Sequence, residues 1–253
     1  MRTTASLLLF LLATTACGKR GALIYPEMVA PAAPTDVSAL QTGSEVRISF
    51  QLPQKDIAGR SLSSLAGVNL FKQGSDNTQS GETCMACSPQ FPPFKTVYLD
   101  HPCHAVQRYE DRFILLDNQV DEGVDYAYFV QSFLHDGTFG PASSPVKVSV
   151  FPTLQAPLLK AVSEPTEILL ELSPHPSAPG SFVGFSIYRS IKGQPFSYLP
   201  YTKEPVTSST FIDFGLNRQV VYLYQAKTII RMPNGVLVES AASEVVEVQL
   251  SEE

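Results

Sequence analysis

The sequence predicts an all-β protein made of two tandem β-sandwiches, and three observations carry that prediction. Short segments alternate apolar and polar residues with a period of two, as expected of strands with one buried and one wet face. Proline and glycine, 20 and 15 of 253 residues, punctuate those segments, while only 17% of residues are charged, a sparse supply for surface helices. Finally, the chain repeats itself: Tyr126-Ala127-Tyr128-Phe129-Val130 returns as Tyr222-Leu223-Tyr224-Gln225-Ala226, an offset of 96 (222 − 126). Asp136-Gly137 returns as Asn234-Gly235, and Ala142 to Val146 as Ala241 to Val245. Landmarks in one order with little drift indicate two units of about 100 residues each.

At the amino terminus, Arg2 precedes the apolar run Ser6 to Ala13, the layout of a secretory signal peptide over residues 1–16. That run is shorter than the ~18 residues a spanning helix needs. Thr14-Thr15-Ala16 before Cys17-Gly18 resembles the bacterial lipoprotein lipobox, with Thr14 where leucine is usual. The resemblance implies acylation of Cys17 and a lipid-anchored place at the outer membrane, facing the periplasm or the surface. Each buried acyl CH₂ contributes ~0.8 kcal/mol to such an anchor. Residues 17–34 follow as a tether kept extended by Pro26, Pro31 and Pro34, with Lys19 and Arg20 near the headgroups. Its first part, Cys17 to Pro26, is also similar to the start of a small lipoprotein family that includes LptM, over that short stretch alone.

The first unit, 35–150, opens with Val46, Ile48 and Phe50 alternating with Arg47 and Ser49, and continues through Val68–Phe71, Phe113–Leu116, Tyr126–Phe133 and Val146–Val150. In the second, 151–253, the counterparts are Ile168–Leu172, Phe185–Arg189, Thr210–Asp213, Val220–Ile230 and a single run Val236–Leu250. Asp136-Gly137 and Asn234-Gly235 are hairpin dipeptides, suited to positive φ.

Both units resemble fibronectin type III domains, an immunoglobulin-like fold, through Pro34-Thr35-Asp36-Val37, Gly184 to Arg189, and the Tyr-x-Tyr strand. The resemblance makes Tyr126 and Tyr222 the tyrosine-corner residues, each hydroxyl bonding backbone upstream. The chain has no tryptophan, so Phe50 and Leu172 are expected to fill the space of the usual second-strand Trp.

Between about 74 and 105 the first unit carries a segment without counterpart, holding Cys84-Met85-Ala86-Cys87, His101 and Cys103-His104. Several readings are open. Cys103 with Cys84 or Cys87 can form a structural disulfide in an oxidising envelope. Cys84, Cys87 and Cys103 with His104 or His101 are acceptable zinc ligands. A redox CxxC lacks its βαβ setting here, and an odd cysteine can pair between molecules. Ser88 occupies the place where covalent haem attachment needs histidine. The run Pro89 to Phe94 either packs on the sandwich edge or offers a peptide-binding surface.

A net charge of −6 argues against nucleic acid. No GxSxG, HExxH, phosphate loop or GxGxxG occurs. His135 and His175 read as solvated loop residues, and Glu110-Asp111 and Asp121-Glu122 as solvated pairs flanking strands. The expected function is a membrane-anchored, non-enzymatic interaction or scaffold module with an envelope protein as partner, no cofactor, and no ligand that can be named. The alternative is a zinc-binding or redox assembly-helper lipoprotein using Cys84, Cys87 and Cys103. The short join 150–155 implies limited interdomain motion, and removal of 74–105 is expected to leave both sandwiches folded.

Overall fold

The computed structural model describes residues 29–62, 64–75, 92–101, 106–176 and 179–251. In the first unit the strands are β1 (Thr35–Thr42), β2 (Glu45–Gln51), β3 (Leu65–Gly74), β4 (Lys95–Tyr98), β5 (Val106–Tyr109), β6 (Arg112–Asp117), β7 (Asp125–Leu134), β8 (Phe139–Ala142) and β9 (Val146–Ser149). β1, β2, β6 and β5 lie side by side in one sheet, and β4, β3, β7 and β8, with β9 also on β7, form the other. The second unit comprises β10 (Leu158–Ser163), β11 (Glu167–Ser173), β12 (Ser181–Ile191), β13 (Thr210–Phe214), β14 (Tyr222–Arg231), β15 (Leu237–Glu239) and β16 (Val246–Val248). Its sheets are β10-β11-β13 and β12-β14, with β15 and β16 both on β14. Each unit is a fibronectin type III-like, immunoglobulin-like antiparallel sandwich.

Alternation decides which face of each sheet is buried. Val46, Ile48 and Phe50 of β2 meet Val68 and Leu70 of β3 and Tyr126, Tyr128 and Val130 of β7 in the first core. Ile168, Leu170 and Leu172 of β11 meet Phe185, Ile187, Tyr222, Tyr224 and Ala226 in the second. Phe50 and Leu172, set to replace the missing tryptophan, are fully buried. Gly137 and Gly235 have φ of 85° and 86°, and in both hairpins the preceding Asp136 or Asn234 accepts the amide two residues on, an arrangement that stabilises the turn.

Two expectations need correction. Val236–Leu250 is not one strand: β15 and β16 are separated by 240–245, as β8 and β9 are in the first unit. Side chains supply the reason. Ser240 Oγ accepts the Thr228 amide at 2.9 Å and Ser243 Oγ the Ala226 amide at 3.0 Å, so hydroxyls replace ladder carbonyls and the strand can swing away. Ser143 does the same for Val130 at 3.0 Å. Nor is 74–105 a detachable insertion, because it contains β4, which pairs with β3. Val97 of β4 is 2% exposed in the core and Phe94 packs against that core, so excision would open the sandwich.

The two sandwiches are joined by more than their linker. β15 pairs in parallel with β1, Gln41 facing Val238 and Thr42 facing Glu239. One eight-stranded sheet therefore runs from β12 of the second unit through to β5 of the first.

Candidate interaction surface

At this joint a carboxylate is taken out of water. Glu239 is 1% exposed. It receives Arg47 Nη1 at 3.1 Å, Ser186 Oγ at 2.7 Å, Thr42 Oγ1 at 2.8 Å and the Tyr188 hydroxyl at 3.0 Å. Arg47 Nη1 also donates to the Tyr188 hydroxyl at 2.8 Å and to the Tyr198 carbonyl at 3.0 Å, and Lys227 Nζ donates to Thr42 Oγ1 at 2.6 Å. Burial by itself would raise the Glu239 pKa; Arg47 beside it, with Ser186, Lys227 and Thr42, holds it below the ordinary value instead. A desolvated carboxylate persists only when its acceptor sites are filled, and donors from both units fill them. Gln41 completes the joint by exchanging two hydrogen bonds with the Phe151 backbone, both at 2.8 Å.

A further contact covers the outer face of the first unit's β1-β2-β6-β5 sheet. Gln107 of β5 donates to the Phe196 carbonyl at 2.9 Å and accepts the Tyr198 amide at 2.6 Å, and the Tyr109 hydroxyl bonds Ser197. Ile114, the register partner of Gln107, is fully buried on this face.

The equivalent face of the second unit has no such cover among the described residues. There Val162, Leu169 and Ile212 sit opposite one another across β10, β11 and β13. Val162 and Ile212 are 39% and 46% exposed, and Leu158 and Phe214 at the ends reach 72% and 75%. Val162, Leu169, Ile212 and Phe214 make an apolar patch on this sheet face of the kind that marks contact surfaces, and Leu158 lies beyond the Lys160–Glu171 row.

Each sandwich also holds a buried Tyr-Asp-cation group. Tyr128 donates to Asp117 at 2.6 Å and Lys72 Nζ stands 2.8 Å from the same carboxylate. In the second unit Tyr224 donates to Asp213 at 2.7 Å, with Arg189 Nη1 at 2.8 Å. Burial first, then the aspartate bond, pushes both phenols far above their usual range, so they remain donors at every physiological pH. The hydroxyls of Tyr126 and Tyr222 accept the amides of Asp121 at 3.0 Å and Asn217 at 2.9 Å, tying each preceding loop down.

Of the residues singled out from sequence, Cys17, Cys84, Cys87, Cys103 and His104 lie outside the described residues. His101 is exposed. His135 is exposed as expected and lies 3.5 Å from Asp100. His175 departs from its reading as a solvated loop residue: it is half-buried and lines a cavity of about 240 Å³ beside Phe151, Leu154, Thr228, Ile230 and Met232. That volume is below the ~300–1,000 Å³ of small-molecule sites. The residues that sequence reading missed are Glu239, Arg47, Lys72, Asp117, Arg189 and Asp213. One available signal was Asp117 and Asp213 recurring at the same offset as the tyrosines.

No family model matches the chain, and neither does any curated protein. Among solved structures it is similar to the FN1–FN3 domains of chicken CNTN1, at 13% identity over 88% of this chain and 67% of that one, with a TM-score of 0.33.

Proposed function

We propose that the chain is an envelope lipoprotein, held to the membrane through Cys17, that acts as a non-enzymatic interaction or scaffold module. The observation that carries the scaffold role is the pairing of a locked joint with an open apolar face. The continuous sheet and the buried Glu239 cluster fix one sandwich on the other, and the β10-β11-β13 face is presented outward in a set direction. A rigid pair loses little conformational freedom on binding, which favours affinity.

The lipobox-like Thr14-Thr15-Ala16-Cys17 supports the anchor. Palmitate labelling of the full chain, with membrane fractionation of wild type and Cys17→Ser, tests it. Label and membrane retention in wild type, both lost in the variant, are expected; an unlabelled chain in the soluble fraction overturns the anchor. Native mass with thiol counting on the same preparation separates the zinc or redox alternative through Cys84, Cys87 and Cys103, which requires free thiols and, for zinc, the added metal mass.

A further inference from the structure

The joint inside the chain uses the outer β12-β14-β15 face of one sandwich against the outer β1-β2-β6-β5 face of another. Each chain therefore has one face of each kind left over. We infer that these leftover faces dock on each other in a second copy of the chain, so that copies associate head to tail. This deepens the scaffold reading, and rests on it, by naming the partner.

Position-by-position comparison favours the second copy over an unrelated occupant. Asp117 and Asp213 bond the second tyrosine of each unit, which makes Leu116 equivalent to Ile212 and its register partner Arg47 equivalent to Leu169. The acceptor face thus changes from a cation in the first unit to an apolar row in the second. The donor face changes in step. Lys227 and Ile229 of β14 correspond to Gln131 and Phe133 of β7, and Glu239, opposite Ile229, corresponds to Phe139, opposite Phe133. Where the internal joint matches Arg47 with Glu239, the leftover faces match Leu169 and Ile212 with Phe139 and Phe133.

Both changes are needed for complementarity. An apolar row facing a glutamate would bury an unpaired charge, and an arginine facing Phe139 would do the same. Phe133 lies between Tyr98 and Phe139, with ring centroids 5.7 Å and 5.8 Å away. Tyr98 and Phe139 are 54% and 53% exposed, an aromatic edge suited to packing. On the opposing face Lys160 and Glu171 are register partners of opposite charge, and Glu167 lies at its edge opposite Phe214. Using two different faces makes the contact heterologous, so it does not end at a dimer.

The test places a photoreactive benzoylphenylalanine at position 212 of the full chain in its native membrane, followed by peptide mapping of the cross-linked products. The expected result is a ladder of chain multiples, with position 212 joined to peptides carrying Tyr98 or Phe139. Phe139→Asp should reduce that ladder about tenfold or more, since a charge would be driven into an apolar contact. Phe214→Asp, beside Ile212 on the opposite partner face, should do likewise. A cross-link from 212 to peptides of the second sandwich, meaning a symmetric dimer, overturns the head-to-tail arrangement. Products joined only to a different protein or to lipid also overturn it while leaving the scaffold reading intact, and absence of any product overturns it as well. An unlabelled, soluble wild-type chain in the fractionation above is a separate outcome that overturns the anchor alone, so the two readings fail independently.

Discussion

Arg47 in the first sandwich and Leu169 in the second occupy the same place on the same sheet face, yet one is buried in an ion pair and the other joins an apolar row open to solvent. Their surroundings account for the difference. Arg47 has Glu239, Tyr188 and the Tyr198 carbonyl within reach, so its charge is matched where water is excluded. Leu169 has Val162 and Ile212 on either side. The same frame thus makes one face that closes with a partner already in the chain and another that no described part of the chain covers.

The most damaging way to break this contrast is Glu239→Gln. Removing one partner of a buried ion pair costs ~3–5 kcal/mol because the other charge stays desolvated, here Arg47. Urea unfolding should show that loss; a change under about 1 kcal/mol, the scale of a surface pair, would mean the joint is hydrated. Acid probes the same group without mutation. Its folded pKa lies below the ordinary 4.5, so its contribution is fully present above that value and is lost as pH falls through the depressed one. The gap in urea midpoint between wild type and Glu239→Gln should therefore shrink on acidification, and a gap independent of pH would remove Glu239 as its source.

Smaller effects sharpen the comparison inside the cores. Tyr128→Phe and Tyr224→Phe each leave a buried aspartate short of one donor, at a cost of ~1–3 kcal/mol. The groups belong to separate cores, so the double variant should sum the two losses; strong non-additivity in unfolding free energy would show the cores to be coupled through the joint. Least of all, in the chain kept monomeric by dilution, Ile212→Thr should change stability by no more than about 0.5 kcal/mol, because its side chain is already 46% exposed there. A larger loss under that condition would indicate that the chain itself covers the face.

The sandwich frame was legible because its signals are local. Alternation in β2 and β11, the Tyr-x-Tyr strands and the two hairpin dipeptides each declare themselves within a few residues. The joint was not, since Arg47 and Glu239 are 192 positions apart and neither sits in a pattern that announces a partner. Strand β4 was hidden for another reason: it is only four residues long and follows a proline-rich run, so it read as part of an insertion. The division of β15 from β16 escaped because Ser240 and Ser243 act through their hydroxyls, which apolar periodicity does not register. Apolar segments marked β11 and β13 but not β10, Leu158–Ser163, and the outer row becomes a surface only once register aligns Val162, Leu169 and Ile212.

The parallel pairing of β1 with β15 also has a mechanical meaning. A pull on the chain ahead of β1 first loads the bonds of Ala30 and Ala32 to Ile57 and Lys55 and the β1–β2 pairs, and then reaches the second sandwich across the Gln41–Val238 and Thr42–Glu239 pairs. The strand nearest the amino-terminal tether is therefore the one riveted to the far domain. The linker is fastened to the same seam, since Phe151 bonds Gln41 and the Leu154 carbonyl accepts the Ala241 amide, so seam and linker carry tension together.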